Sequence, residues 1–419
     1  MKHFAWTGVI GLWLCTAVQA AAQITPVATP DTARVTAPAP TTEAEIPAPP
    51  KKWYEKLTVR GYVQVRYNRL AETNPDLKCD QCDKSWGRDG GFLIRRARIV
   101  FSGNVHERVY VYVQPDFGSS ASSSGLNFGQ LRDAYFDLAL DKKKEFRVRL
   151  GQSKIPYGFE NLQSSQNRLP LDRADPTNSG LANERDLGGF RYWAPTKIRA
   201  RFSQLVALGL KGSGDYGVLG FGLFNGQTAN RPEANGGQHM VARITYPFML
   251  KNGQFFETSL QAYSGRYVMP ESQITEGVTA RDYYIDERAA ATLVIYPQPL
   301  GFQAEYNIGH GPEYNPETNT IEDRPLEGGY AMVMYNTKLF KHTFIPFVRA
   351  QYYKGGKKHE LDARRYRVHE TEIGLEWQPA AAFELVAMYT ISDRTFEDAE
   401  MPVNNQFGQL LRLQAQVNF

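Results

Sequence analysis

The feature that most constrains this chain is alternation. Between Thr58 and Asn68, Val59, Gly61, Val63, Val65 and Tyr67 share one parity, and Arg60, Tyr62, Gln64, Arg66 and Asn68 share the other. Successive side chains of a β-strand point to opposite faces, so the segment predicts a strand with one apolar and one charged face. The pattern recurs near 58–69, 92–104, 107–117, 129–140, 145–154, 202–212, 216–225, 238–248, 255–266, 283–296, 300–310, 328–338, 343–354, 366–378, 383–394 and 408–419. That makes sixteen strands, an even number, as an antiparallel barrel requires to close. Most have about the ten residues with which a tilted strand crosses a bilayer.

The connections carry the same message. They alternate long and short, with short turns at Val105–His106, Ser213–Asp215 and Lys341–His342, and long ones near 70–91, 155–201, 267–282, 311–327 and 395–407. A soluble sandwich has no reason to alternate in this way. A transmembrane barrel does, because its turns on one side are short and its loops on the other are long. Aromatics gather at the short-turn end, at Tyr246, Phe248, Phe255, Tyr296, Phe340, Phe344, Trp377 and Phe383, where an interfacial girdle is expected. The predicted fold is an all-β transmembrane antiparallel barrel.

The N-terminus points to export. Lys2 and His3 precede an apolar stretch from Phe4 to Val18, and Ala20, Ala21 and Ala22 follow, the layout of a cleavable signal peptide over 1–22. Trp13 and Leu14 before Cys15 lack the small residues of a lipoprotein site. Residues 23–52 are rich in Ala, Thr and Pro and read as an extended periplasmic linker. The barrel is expected over 53–419, in the outer membrane of a Gram-negative cell. No later apolar run reaches the eighteen residues of a helical span. The 42% hydrophobic content and the 36 glycines suit strands that show lipid only one face.

Only Cys79 and Cys82 survive removal of the leader. Without a second pair there is no zinc framework, so they are expected to form a small disulfide in the first long loop. Gly212–Gly217 satisfies G-x-G-x-x-G, but strand-like segments flank it on both sides. A dinucleotide site needs a strand before it and a helix after it, so a tight turn explains these glycines. Asp175–Gly180 reads as ordinary turn chemistry. No nucleophile, metal or cofactor constellation stands out, and the chain is not expected to be an enzyme or to bind nucleic acid.

The arginines are more informative. Arg60 and Arg66, Arg96 and Arg98, and Arg147 and Arg149 lie on the polar parity, and guanidinium groups are costly against lipid. They are expected to line water and to attract anions, unless Asp116, Asp133 and Asp137 neutralise them. Arg95 falls on the lipid parity. The net charge of +4 becomes about +3 once Lys2 leaves (4 − 1), too little to decide selectivity by itself.

At these positions the sequence resembles the phosphate-selective porin O and P family. The matching residues are Phe92–Arg98, Leu131–Tyr135, Arg149–Gly158, Glu184–Gly188 and Gly222–Gly226. The resemblance implies a sixteen-stranded homotrimer whose third loop, here 155–201, folds into the lumen. It also implies a basic constriction that passes small anionic solutes, phosphate or polyphosphate, with Lys154, Arg168, Arg173 and Arg185 as the residues in contact. Between Arg168 and Arg191 the charges balance, with Arg168, Arg173, Arg185 and Arg191 facing Asp172, Asp175, Glu184 and Asp186. The terminal Phe419 looks like the signal read by the barrel assembly machinery.

Overall fold

The computed structural model describes residues 52–80, 82, 86–87, 90–118, 129–181, 185–402 and 404–419. The leader, the linker apart from Lys52, and Glu184 lie outside the described residues. Alternating segments become β1 (Leu57–Leu70), β2 (Phe92–His106), β3 (Val109–Asp116), β4 (Gln130–Ala139), β5 (Phe146–Lys154) and β6 (Arg185–Trp193). There follow β7 (Leu219–Phe224), β8 (His239–Met249), β9 (Phe255–Tyr267), β10 (Tyr284–Ile295), β11 (Leu300–Asn315) and β12 (Thr320–Tyr335). The last are β13 (Thr337–Leu339), β14 (His342–Gly356), β15 (Arg365–Ala380), β16 (Phe383–Glu397) and β17 (Asn405–Asn418).

All pairings in the barrel wall are antiparallel between chain neighbours, and β1 also pairs with β17, so the sheet closes. β12 and β13 lie end to end against β14, so the seventeen segments form sixteen staves. The closing seam pairs β1 with β17 from Tyr62↔Asn418 to Leu70↔Leu411, and backbone bonds of 2.7 and 3.0 Å between Gly61 and Phe419 finish it. A side chain at Gly61 would collide with the Phe419 ring and the Arg98 carbonyl oxygen, which explains a glycine in the middle of a strand.

Along β8, burial alternates strictly, with Val241, Arg243 and Thr245 inside and Met240, Ala242 and Ile244 outside. The outer face carries an apolar band in which Leu150, Phe221, Leu260, Ile308 and Val348 are all exposed. In water that would be costly; against hydrocarbon it is the expected surface.

Five local expectations are corrected. The strand placed at 202–212 is a helix, α3 (Thr196–Ala207), and the sixth stave is β6. Ile198, Phe202 and Leu205 are its buried residues, spaced four and three apart, which is a helical face. The third long connection therefore ends at 184, not 201, and the connection after β6 runs from 194 to 218 instead of turning at Ser213–Asp215. The loop placed at 311–327 is mostly hairpin: β11 and β12 pair from Leu300↔Tyr335 out to Asn315↔Thr320, leaving only Pro316–Asn319 as the turn. Finally, Phe255 and Tyr296 do not join the girdle. They point inward and pack with Leu205, Leu210 and Phe159, while Phe248 stacks on Phe256 and Phe344 on Trp377.

Candidate functional site

Strand parity aims Tyr62, Gln64 and Arg66 inward from β1, and pairing sets Arg98 opposite Tyr62 and Arg96 opposite Gln64. Here the register slips: Gln64 pairs with Arg96 and Val65 with Ile94, so Arg95 is an extra residue. Such a bulge re-aims a side chain. Arg95, placed on the lipid parity by simple counting, instead donates to the Cys82 carbonyl at 2.6 Å and lies 3.8 Å from Asp172.

Guanidiniums therefore converge from four strands, β1, β2, β4 and β17. Arg66 donates to Asp172 at 3.0 Å and to Gln414 at 2.7 Å, and Arg412 of β17 donates to the other oxygen of Asp172 at 2.5 Å. Arg98 donates to Asp116 at 2.8 Å, with Arg132 at 3.9 Å from the same oxygen. Arg96 donates to Gln64 at 2.8 Å and has no carboxylate within ion-pair distance among the described residues. Burial opposes ionisation of Asp172, but the Arg66, Arg412 and Arg95 guanidiniums hold its carboxyl well below the usual range.

A second group lies on β3 to β6. Arg149 makes a two-point contact with Asp137 at 2.7 and 3.0 Å, Arg147 pairs with Asp215 at 2.7 Å, and Arg185 pairs with Asp133 at 2.9 Å. Arg149 also sits 3.9 Å from the Tyr135 ring centroid. Tyr135 stacks on its cross-strand neighbour Tyr112, with centroids 5.1 Å apart, and Arg60 lies 5.8 Å from the Tyr112 centroid.

Residues 155–181 carry α1 (Phe159–Leu162) and α2 (Asp175–Gly180), which opens with Pro176 in its first turn. The segment reaches inward-facing side chains of many staves. Tyr157 donates to Asn307 of β11 at 2.6 Å, and Ser165 meets Tyr62 of β1 at 2.6 Å. Glu160 accepts from Arg349 of β14 at 2.7 Å, and Asp175 accepts from Arg394 of β16 at 2.9 Å. Lys154 donates to the Leu162 and Gln163 carbonyls at 3.1 and 2.7 Å, Arg168 to Glu160 O at 3.3 Å, and Arg173 to Asn161 at 3.3 Å.

Several inward cations were not singled out from sequence. Arg349 joins Glu160 to Glu372, Arg394 joins Asp175 to Glu370, and Lys211 reaches Glu376 at 2.6 Å. Within residues 357–364, Lys357 pairs with Asp175 and Lys358 with Asp286. Parity on β14, β16 and β17 marks Arg349, Arg394 and Arg412; no periodic signal marks the two lysines. Cys79 and Cys82 form a disulfide with Cα atoms 5.2 Å apart. It is buried in a cluster with Leu77, Trp86 and Leu410, and Trp86 lies 5.2 and 4.8 Å from the guanidiniums of Arg394 and Arg412.

A closed sixteen-stave barrel, apolar outside and charged within, defines an outer-membrane porin, a channel protein. The chain belongs to the phosphate-selective porin O and P family, whose model matches residues 74–419. Among solved structures it is similar to the outer membrane channel DcaP of Acinetobacter baumannii, at 16% identity and a TM-score of 0.54, covering 87% of this chain and 97% of that one. It is also similar to Salmonella typhi OmpF, at 12% identity and a TM-score of 0.52, covering 88% and 98%. An anion-selective porin from Comamonas acidovorans follows at 10% identity and a TM-score of 0.50, covering 87% and 99%. At these identities the likeness is one of fold. No curated protein matches the chain.

Proposed function

We propose that this porin is a passive, anion-preferring diffusion channel for small solutes such as phosphate or polyphosphate. One observation carries the reading. Among the described residues, Arg66, Arg95 and Arg412 share Asp172, with Glu372 also 3.5 Å from Arg412, Arg98 and Arg132 share Asp116, and Arg96 has no carboxylate within ion-pair distance. Where guanidiniums outnumber carboxylates, the local field favours anions. Their planar forks also match phosphate oxygens. A pair of opposite charges about 4 Å apart gains roughly 1 to 4 kcal/mol in a wet site. Several sites of that strength concentrate an anion without trapping it. The contacts of 155–181 with β1, β2, β10, β11, β14, β16 and β17 support a loop folded into the lumen as the constriction, with Lys154, Arg168, Arg173 and Arg185 at its edge. The anion-selective fold relative agrees with the preference.

The same reading includes a leader cleaved after about residue 22, a homotrimer, and a Phe419 signal recognised by the assembly machinery. The loops near 70–91, 155–184 and 267–282 then face outside, and the short turns together with the 194–218 connection face the periplasm.

Changing Arg60 and Arg96 together to Glu tests the selectivity. The reversal potential in a salt gradient should move toward cation preference, most clearly at low salt, where screening is weak. An unmoved potential sinks the assignment. A second reading, a general non-selective porin, draws on Glu305 and Glu384, which have no cation within ion-pair distance among the described residues and offset Arg60 and Arg96. In that case both the wild-type and the double variant would discriminate little.

A further inference from the structure

We propose that the short-turn half of the barrel holds a binding site for a phosphorylated sugar, a specific anion class for the anion-preferring channel on which this inference rests. The place is a cavity of about 290 Å³ between the tip of the third loop and the connector after β6. An adjoining cavity of about 330 Å³ shares Arg60, Tyr112, Gln114, Ser164, Gln166 and Asn167 with it. These volumes lie near the small end of ligand pockets.

Three kinds of group meet there. The first is aromatic: Tyr112, Tyr135 and Tyr216 are only half-buried, and Tyr112 and Tyr135 stack almost parallel, 11° apart. Tyr135 is taken up by Tyr112 and by the Arg149 guanidinium at 3.9 Å, so the rings left to meet the C–H face of a sugar are Tyr112 and Tyr216. The second is neutral and polar. The side chains of Gln114, Ser164, Gln166 and Asn167 make no hydrogen bond to the described residues, although their neighbours are densely bonded. Gln114 is buried and the other three are half-buried, all four lining the cavity, so their donors and acceptors are open to the hydroxyls of a polyol. The third is Arg60, exposed to the cavity and without a carboxylate partner among the described residues. Arg147, Arg149 and Arg185, by contrast, are each held by an aspartate.

Inorganic phosphate would use Arg60 and accept from the amides and the hydroxyl, but leave the rings uncovered. A neutral sugar would use the rings and amides and leave Arg60 idle. A planar aromatic acid would stack and pair but leave the amides unanswered. A sugar phosphate uses all three.

The test is current blockade of the full-length protein in planar bilayers. The probes are glucose 6-phosphate, glucose, inorganic phosphate and benzoate. Glucose 6-phosphate should half-block at a concentration about tenfold below each of the others, the scale of one stacking contact. Tyr112→Ala should abolish that advantage and leave the phosphate value unchanged. Should it fail to insert, Arg60→Gln should instead weaken blockade by both glucose 6-phosphate and phosphate, remove the advantage of glucose 6-phosphate over glucose and leave the glucose value unchanged; a glucose 6-phosphate value that does not move overturns the site. Equal blockade by glucose 6-phosphate and phosphate in the wild type overturns the proposal, as does benzoate matching glucose 6-phosphate. The wild-type salt-gradient potential is recorded alongside. A cation-preferring potential would overturn the channel reading, whereas an anion-preferring channel with no sugar-phosphate advantage overturns only this site.

Discussion

Replacing Asp172 with Ala should produce a larger, noisier and more anion-selective channel. Asp172 is buried and binds Arg66, Arg412 and, more distantly, Arg95, and so ties the third loop to β1, β2 and β17. Removing one partner from a buried ion pair costs about 3–5 kcal/mol, because the surviving charges stay buried and uncompensated. The cheapest relief is for the loop to move and admit water. Three guanidiniums would then face that water without their shared carboxylate, so the reversal potential should shift toward anions as conductance rises. Asp172→Asn keeps the shape and loses the charge; it should reproduce the selectivity shift with a smaller conductance change. If single-channel recordings of both variants match the wild type, Asp172 does not anchor the loop.

Deleting Phe419 should sharply lower the amount of folded protein in the outer membrane, without changing the conductance of the channels that do insert. The residue supplies both backbone bonds to Gly61 at the seam where β17 meets β1, and its ring packs over the space a larger residue at Gly61 would need. A barrel must leave no open edge in lipid, so losing the last pair on the closing seam costs more than losing a pair elsewhere. Gly61→Val should act in the same direction by displacing the ring. Membrane fractions compared by heat-modifiable mobility measure the effect. Normal yield after both changes would show that closure depends on the remaining pairs.

Fifteen of the sixteen staves were legible because an apolar outside and a polar inside impose period two on every strand that crosses lipid. The exception is instructive. β6 contains Gly188 and Gly189 and looks like a loop, yet a Cβ at Gly188 would collide with the Leu223 carbonyl oxygen, so the glycine is required by close strand approach. α3 was mistaken for the missing strand even though Pro195 and Gly209 bracket it. Gly209 has φ +67°, the left-handed geometry common after a helix end. The extended β11–β12 hairpin was missed because, beyond the bilayer, nothing enforces an apolar outer parity.

In the interior, parity found the arginines of β1, β2 and β5, and composition found the aspartates that hold Arg98, Arg149 and Arg185. Parity failed at Arg95, because one bulge residue reverses the facing of a side chain and leaves no trace in spacing. It also could not place Lys357 and Lys358, whose partners Asp175 and Asp286 lie far away in the chain. Long-range pairing of that kind is fixed by the closed barrel, and local sequence does not record it.

The central claim, an anion-preferring porin, is tested most directly by the reversal potential of the wild-type protein in a planar bilayer across a potassium chloride gradient. The potential should take the sign set by chloride diffusion, and its magnitude should grow as total salt is lowered. A potential of the opposite sign, or one near zero at every salt concentration, would contradict the claim.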